Sequence, residues 1–146
     1  MTASDSSAQL AEQLLRLTRR LHRAQRLYLG PVGITPAQAR LLRTVAHCEE
    51  PPRMADLAQR LEVVPRAVTT LVDALEEHGS VRRVPDPSNR RVIRIELTDH
   101  GRSTLRALRE ARRTAVEDTL APLSAERREL LGGLLAELLN GPDQHC

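Results

Sequence analysis

The chain has 146 residues, of which 40% are hydrophobic and 28% charged, and its formal net charge is +3. This length is ordinary for a single domain with one hydrophobic core. With no Phe, no Trp and Tyr28 as the sole aromatic residue, the core must consist of aliphatic side chains, which favours helices packed on helices over a β-sandwich. The small net charge does not by itself indicate a nucleic-acid partner. Evidence for such a partner must therefore come from where the arginines lie in the sequence.

The N-terminal segment MTASDSSAQL lacks the basic start and apolar stretch of an export signal, and no run of residues approaches membrane-spanning length. We therefore expect a cytoplasmic protein with no membrane partner. The two cysteines, Cys48 and Cys146, form no CxxC or metal-ligand spacing, which favours reduced thiols. No phosphate loop, HExxH or GxSxG motif occurs, so we predict no metal, no other cofactor and no enzymatic activity.

Apolar residues of the first segment recur in alternating steps of four and three, the spacing of a seam on a long helix. They are Leu10, Leu14, Leu17, Leu21, Ala24 and Tyr28. Such a seam needs a partner helix, and the arginines between these positions are expected on the solvated face.

The segment LGPVGITPAQ ends this helix and begins a second one, with Thr35 as N-cap and Pro36 at the first helical position. The second helix is expected to stop before Pro51. Its predicted buried residues are Ala39, Leu42, Val45 and Ala46.

Two further helical patterns follow in MADLAQRLEVVPRAVTTLVDALEEHG, separated by only a few residues, which is typical of a helix-turn-helix. In the second of them, one face carries Val68, Leu71, Val72 and Leu75. The opposite face carries Arg66, Thr69, Thr70 and Asp73. Arg can donate two hydrogen bonds to guanine, and Thr can contact a base or a phosphate. Together with Pro65, Arg66, Thr69 and Thr70 are the predicted recognition-helix contacts.

The runs 81–84 and 92–97 predict an antiparallel hairpin. The loop from Pro85 to Arg91 is longer than a hairpin requires, which indicates a projecting functional element. Its prolines hold it extended and a turn at Asn89 directs the following arginines outward, where the narrow minor groove of DNA attracts guanidinium groups. Five Arg and one Asp lie between Ser80 and Arg94. The predicted DNA contacts of this loop are Ser88, Asn89, Arg90 and Arg91.

Two helices complete the chain. Thr98 is the predicted cap of a long helix that runs to about Leu120, and Ser124 is the predicted cap of a Leu-rich last helix. Gly132 and Gly133, in the middle of the last helix, indicate either a close approach of another helix or a kink or break.

The stretch RRVPDPSNRRVIRIELTDHG resembles the wing and the following helix start of MarR-type transcriptional regulators, and LAQRLEVVPRAVTTLVDALEEHGSVRR resembles their helix-turn-helix. The wing motif consists of an acidic residue, any residue, Arg, five residues, Leu-Thr, two residues and Gly. Asn89, Arg91, Leu97, Thr98 and Gly101 match every element except the first. The resemblance extends from about Leu10 to Leu139.

The resemblance implies a mostly α fold, in which a winged helix-turn-helix with a small antiparallel hairpin is flanked by N- and C-terminal dimerisation helices. Residues 1–34 would form the first dimerisation helix, 35–97 the DNA-binding lobe and 98–146 the last dimerisation helices. It further implies a homodimer that binds a pseudo-palindrome in double-stranded DNA, about one helical turn between half-sites, as a repressor. The expected dimerisation residues are Leu10, Leu14, Leu17, Leu21, Leu130, Leu134 and Leu138.

Three details accompany the resemblance. Asn89 replaces the carboxylate that would brace the wing arginine, so Asn89 and Asp86 are the candidate wing braces. Val64 stands where the recognition helix usually has a Ser or Thr cap. A small-molecule effector would bind between the dimer helices and the lobe, among Arg20, Gln25, Tyr28, Leu41 and Leu42.

Two other functions stay open at this point. A winged helix can serve as a protein–protein interaction module without DNA binding, in which case duplex affinity would not depend steeply on salt. A regulator of the same fold could instead sense oxidants through Cys48, although Glu49 and Glu50 beside it do little to stabilise a thiolate.

Overall fold

The computed structural model describes residues 2–140, so Cys146 lies outside the described residues. In chain order the elements are α1 (Ala3–Leu29), α2 (Pro36–His47), α3 (Met54–Leu61), α4 (Pro65–Glu77), β1 (Val81–Pro85), β2 (Ile93–Leu97), α5 (Asp99–Leu120) and α6 (Ala125–Leu139). A short 3-10 helix, Gly30–Val32, follows α1. The predicted winged helix-turn-helix fold, mostly α with one small antiparallel hairpin, is confirmed.

The helices begin where polar side chains satisfy their free N–H groups. Thr35, Thr98 and Ser124 are the N-caps of α2, α5 and α6, as predicted, and each side-chain oxygen accepts a backbone N–H three residues later, at 3.2, 2.9 and 3.3 Å. The start of α4 differs because Val64 occupies the N-cap position and forms no side-chain hydrogen bond.

The core lies where α2, α3 and α4 pack on the hairpin and on α5. Val68, Val72 and Leu75 are fully buried, which confirms the predicted apolar face of α4. The prediction that Ala46 is buried was wrong. Ala39, Leu42 and Val45 are buried as predicted, but the covered face of α2 extends to Leu41 rather than to Ala46, which lines a surface slot beside α5.

The hairpin pairs Val81 with Leu97 and Pro85 with Ile93, and residues 86–92 form the loop between the strands. The segment before α3 adds to the edge of this sheet, because the N–H of Ile95 donates to the carbonyl of Pro52 at 2.9 Å. The base of the wing is therefore attached to the helix-turn-helix as well as to its own partner strand.

The outer helices leave much apolar surface uncovered. Leu29 is the only buried residue of α1, although α1 packs along α5, where the Tyr28 hydroxyl donates to the carboxylate of Asp118. No residue of α6 is buried within the described chain. This helix continues through both glycines, so of the two alternatives the break is absent, and the space beside each glycine is open. None of the helices in residues 2–140 combines the length and apolarity needed to cross a membrane.

Candidate nucleic-acid interface

The first turns of α4 expose two threonines and one arginine that has no partner within the described residues. Arg66, Thr69 and Thr70 are exposed, and the Thr69 and Thr70 hydroxyls donate to the carbonyls of Pro65 and Arg66 at 3.2 and 3.1 Å. Their oxygens can still accept a hydrogen bond from a ligand. Within residues 2–140 the Arg66 guanidinium has no hydrogen bond or ion pair, so it can bind an external acceptor.

Asp86 organises the wing. Its side chain is only 2% exposed, and one carboxylate oxygen accepts from the Ser88 N–H and hydroxyl at 2.8 and 2.6 Å. The other oxygen accepts from Arg94 Nε at 2.5 Å, and Arg94 Nη1 also donates to the Pro51 carbonyl at 2.6 Å. The Ser88 hydroxyl, and after it the Arg94 guanidinium, hold the pKa of Asp86 well below its usual range. Asp86 therefore joins the wing to the segment before α3.

Asn89 contributes a second, weaker constraint at the wing tip. Its side-chain oxygen accepts the backbone N–H of Arg91 at 3.2 Å, and its own N–H donates to Asp86. Asn89 thus orients the backbone of Arg91 rather than the guanidinium. Both tip arginines, Arg90 and Arg91, are exposed, and neither guanidinium has a hydrogen bond or ion pair among the described residues.

The remaining arginines of the hairpin are neutralised, which the sequence count of five Arg against one Asp did not predict. Arg82 pairs with Glu96, which stands directly opposite it in the strand register. Arg83 donates to Asp73 and Glu76 of α4 at 2.5 and 2.7 Å, and the bond to Asp73 raises the pKa of Arg83. These contacts, with the pairing of Arg94, leave the positive charge of the hairpin at its tip.

The Leu-Thr-x-x-Gly end of the wing motif attaches α5 to the lobe. The Thr98 hydroxyl donates to the Gly79 carbonyl at 2.5 Å, and the Thr98 N–H donates to the Ser80 carbonyl at 3.1 Å. A Cβ atom on Gly101 would lie 2.0 Å from the Ser80 carbonyl oxygen, so only glycine allows this approach. Thr98 and Gly101 therefore have a structural role and fix the direction in which α5 leaves the lobe.

The predicted effector residues do not converge on one cavity. Leu41 and Leu42 are fully buried in the core, and Arg20 lies on the exposed surface of α1. The bond to Asp118 raises the pKa of Tyr28. Gln25 alone reaches a small cavity of about 30 Å³, between α1, α2 and α5.

A row of arginines lies beside this cavity, along the contact between α2 and α5, which we call the α2–α5 seam. Arg43 and Arg112 line the small cavity and also a neighbouring slot of about 120 Å³, which Arg109 borders over a floor of Leu105 and Leu108. Burial lowers the pKa of Arg43, and the positive charges of Arg112 and Arg40 lower it further. The seam therefore holds positive charge without a carboxylate partner among the described residues.

Cys48 lies half-buried at the end of α2. Its Sγ donates to the Thr44 carbonyl at 3.2 Å and accepts from Arg60 Nη1 at 3.1 Å. The contact with Arg60 was not predicted from the sequence, because Arg60 is 12 residues away from Cys48 along the chain and only the packing of α3 on α2 brings the two side chains together.

Comparisons with known proteins agree with this geometry. Residues 34–93 match the family model described as the MarR family. An uncharacterized HTH-type transcriptional regulator of Mycobacterium bovis, Mb0904, is 30% identical over 127 residues, which cover 87% of this chain and 88% of that protein. A Bacillus subtilis regulator, YdgJ, is 32% identical over 108 residues, which cover 74% of this chain and 65% of that protein, slightly under two thirds of its length.

Solved structures give the same result. The MarR family protein Rv2887 of Mycobacterium tuberculosis in complex with DNA superposes with a TM-score of 0.75 at 26% identity, covering 88% of this chain and 96% of that one. The same protein in complex with salicylic acid gives 0.71 at 28% identity, covering 88% and 95%. The proteins to which the chain is similar are transcriptional regulators and not enzymes.

Proposed function

This chain belongs to the MarR family of transcriptional regulators, and we propose that it acts as a homodimer that represses transcription by binding a pseudo-palindromic site in double-stranded DNA. One observation carries the proposal. The lobe leaves Arg66 unpaired at the start of α4 and Arg90 and Arg91 unpaired at the wing tip, while the other hairpin arginines are paired within the protein.

In this proposal α4 enters the major groove and the wing follows the adjacent minor groove. Arg66 hydrogen-bonds a guanine edge, and Pro65, Thr69 and Thr70 contact neighbouring bases and phosphates. Ser88 and Asn89 support the two tip arginines, whose charge suits the negative potential of a narrow minor groove. The related Rv2887 forms a complex with DNA, which supports DNA as the partner of this chain.

The homodimer is supported by apolar surface that the single chain leaves exposed. Leu10, Leu14 and Leu17 of α1 are 57%, 46% and 40% exposed. On α6, Leu130, Leu134 and Leu138 are 69%, 60% and 71% exposed. A second copy would cover both sets, together with Leu21, and a two-fold axis would place the lobes about 34 Å apart on the DNA. Because chromosomal DNA lies in the cytoplasm, the cytoplasmic location expected from the sequence is part of the proposal.

We also propose that a small organic anion releases the repressor by entering the seam between α2 and α5. The seam offers unpaired arginines above apolar side chains, but its cavities of about 30 and 120 Å³ are smaller than an ordinary ligand pocket. A bound ligand must therefore push α5 away from the lobe. Salicylate, which the related Rv2887 binds, is a suitable probe. It should raise Tm of the wild type and weaken DNA binding, and Arg112→Ala should abolish both effects.

The primary test is binding of the purified protein to duplex DNA from upstream of its own gene and to scrambled duplex, across a salt series. Steep salt dependence, preference for the upstream sequence and two protomers per site are expected. Binding that ignores both salt and sequence would favour a protein partner for the winged helix. Repression is tested by transcription in vitro from the bound promoter, which added protein should reduce.

A further inference from the structure

Val64 is a large apolar residue that the lobe leaves exposed. It is 67% exposed, and within residues 2–140 every other exposed large hydrophobic residue lies on α1 or α6, the helices assigned to the proposed dimer. Val64 lies instead directly before α4, two residues from the unpaired Arg66. Its exposure is therefore not explained by the dimer, and its position is that of a side chain that meets DNA.

The backbone on both sides of Val64 is held by hydrogen bonds. Glu62 has a left-handed conformation with a φ of 55°, and the N–H of Val63 donates to the Ala58 carbonyl at 3.1 Å, which ends α3. Val63 packs against the core, and the Val64 carbonyl accepts the N–H of Ala67 at 3.0 Å. Branching at Cβ leaves the Val64 side chain little rotational freedom. A side chain fixed in this way loses little entropy when it contacts a ligand.

The polar side chains of α4 can identify few bases by hydrogen bonding. The helix contains no Asn or Gln, the residues that bind adenine through two hydrogen bonds. Asp73, which would otherwise accept from cytosine, pairs with Arg83, and so does Glu76. Arg66 can bind guanine, but α4 offers no bidentate contact to an A·T pair. The thymine methyl group is the major-groove feature that still distinguishes such a pair.

We propose that Val64 determines sequence specificity by packing on the methyl group of one thymine in each half-site. The Cα atoms of Val64 and Arg66 are at most about 7 Å apart, and stacked bases are about 3.4 Å apart. The thymine therefore lies within about three base pairs of the guanine that Arg66 binds. This inference rests on the proposed function and deepens it, because it names a base that the operator must contain and the residue that recognises it.

Other contacts of Val64 with DNA are unfavourable. A Ser or Thr at this position, as is usual in the MarR family, can donate a hydrogen bond to a phosphate, whereas valine has no donor or acceptor in its side chain. Packed on a phosphate or on the polar edge of another base, Val64 would remove water from polar atoms without replacing the hydrogen bonds. Packed on a thymine methyl group, it removes two apolar groups from water, which strengthens binding about fourfold per methyl group.

Replacement of thymine by uracil tests the inference, because it removes the methyl group and leaves the hydrogen-bonding groups of the base unchanged. The operator is first selected from randomised duplexes with the wild-type protein. Each thymine of a half-site is then replaced in turn, and dissociation constants are measured by fluorescence anisotropy for the wild type, Val64→Ser and Val64→Ile. The ratio of the constants for uracil and thymine is compared between proteins, so an effect of the substitution on all duplexes alike cancels.

One thymine per half-site should weaken wild-type binding about fourfold when it is replaced, and about 15-fold when both half-sites are changed. Val64→Ser should abolish the effect at that thymine, and Val64→Ile should preserve it, because isoleucine keeps the apolar surface. Val64→Ser also supplies a cap for α4, so unfolding cannot explain the loss. Thr69→Ser is the matched control, since it removes one methyl group from an exposed residue of α4 and keeps the hydroxyl; the effect should persist in it.

Other outcomes overturn the inference in distinguishable ways. If selection enriches no sequence, the proposed function is removed and the role of Val64 with it. If an operator is selected but no thymine replacement weakens wild-type binding, or Val64→Ser retains the full effect of every replacement, the proposed function stands and the role of Val64 is removed. An effect lost in Thr69→Ser but kept in Val64→Ser assigns the methyl contact to Thr69. An effect lost equally in Val64→Ile and Val64→Ser contradicts an apolar contact.

Discussion

Replacing Gly101 by Ala should destabilise the protein strongly, because the new Cβ would lie 2.0 Å from the Ser80 carbonyl oxygen and 3.0 Å from the Ser80 carbonyl carbon. Both atoms belong to the backbone, so no side chain can rotate away. The start of α5 would have to move by more than an ångström. That displacement would break the two hydrogen bonds that Thr98 donates to Gly79 and Ser80.

The expected loss is the sum of two effects. Each broken hydrogen bond costs about 1 kcal/mol, and the steric strain adds about 1–3 kcal/mol. The free energy of unfolding should therefore fall by about 3–5 kcal/mol, which for a chain of this size lowers Tm by about 10 °C. Differential scanning calorimetry measures the change directly.

Gly132→Ala is the matched control. Nothing lies within 4 Å of the position that its Cβ would take, and the residue is in the middle of α6, where Ala is a better helix former than Gly. Its Tm should equal or exceed that of the wild type. If Gly101→Ala melted within about 2 °C of the wild type, the close contact could not be what attaches α5 to the lobe.

Four further predictions concern the wing and the recognition helix. Arg91→Ala should weaken binding to every duplex and lower the slope of log affinity against log salt concentration by about one. Arg66→Ala should instead reduce the preference for the operator over scrambled duplex by about 1–3 kcal/mol. Both are measured by fluorescence anisotropy, and equal effects of Arg66→Ala on the two duplexes would contradict its predicted role. Val64→Ser should supply the missing cap of α4 and raise the free energy of unfolding in urea by about 1 kcal/mol. Arg94 helps to lower the pKa of Asp86. The stability that this ion pair contributes is therefore present at neutral pH and is lost as the pH falls through the acid range where the Asp86 carboxylate protonates. The difference in Tm between wild type and Arg94→Met should thus be largest near pH 7 and shrink below about pH 4; a difference independent of pH would contradict the pairing.

Local chemistry made much of the fold predictable. The caps at Thr35, Thr98 and Ser124 each act on an N–H three residues away, so a short stretch of sequence contains the whole interaction. The buried face of α4 could be predicted because its period is that of the helix itself. Ala46 was misplaced because neighbouring elements, rather than the periodicity of α2, decide which edge of that helix is covered.

The charges of the site were less predictable, since their partners lie in other elements. Arg83 reaches Asp73 and Glu76 only because the turn after α4 reverses the chain. The pairing of Arg82 with Glu96 follows from the strand register. That register could have been predicted only if the length of the loop between the two strands had been known. A count of arginines along the sequence therefore overstates the free charge of the hairpin, although it locates the unpaired tip.

The anchor at Gly101 gives α5 a mechanical role in the proposed repressor. This helix has 22 residues, so it spans roughly 33 Å, from the lobe to the region where it packs on α1. A rotation of about 5° at one end would displace the other by about 3 Å over that length. The proposed dimer must match half-sites about 34 Å apart, and hydrogen bonds to bases tolerate only a few tenths of an ångström. A ligand that widens the seam between α2 and α5 need only tilt α5 slightly to release the DNA, provided that the contact of Gly101 with Ser80 makes the lobe follow the helix.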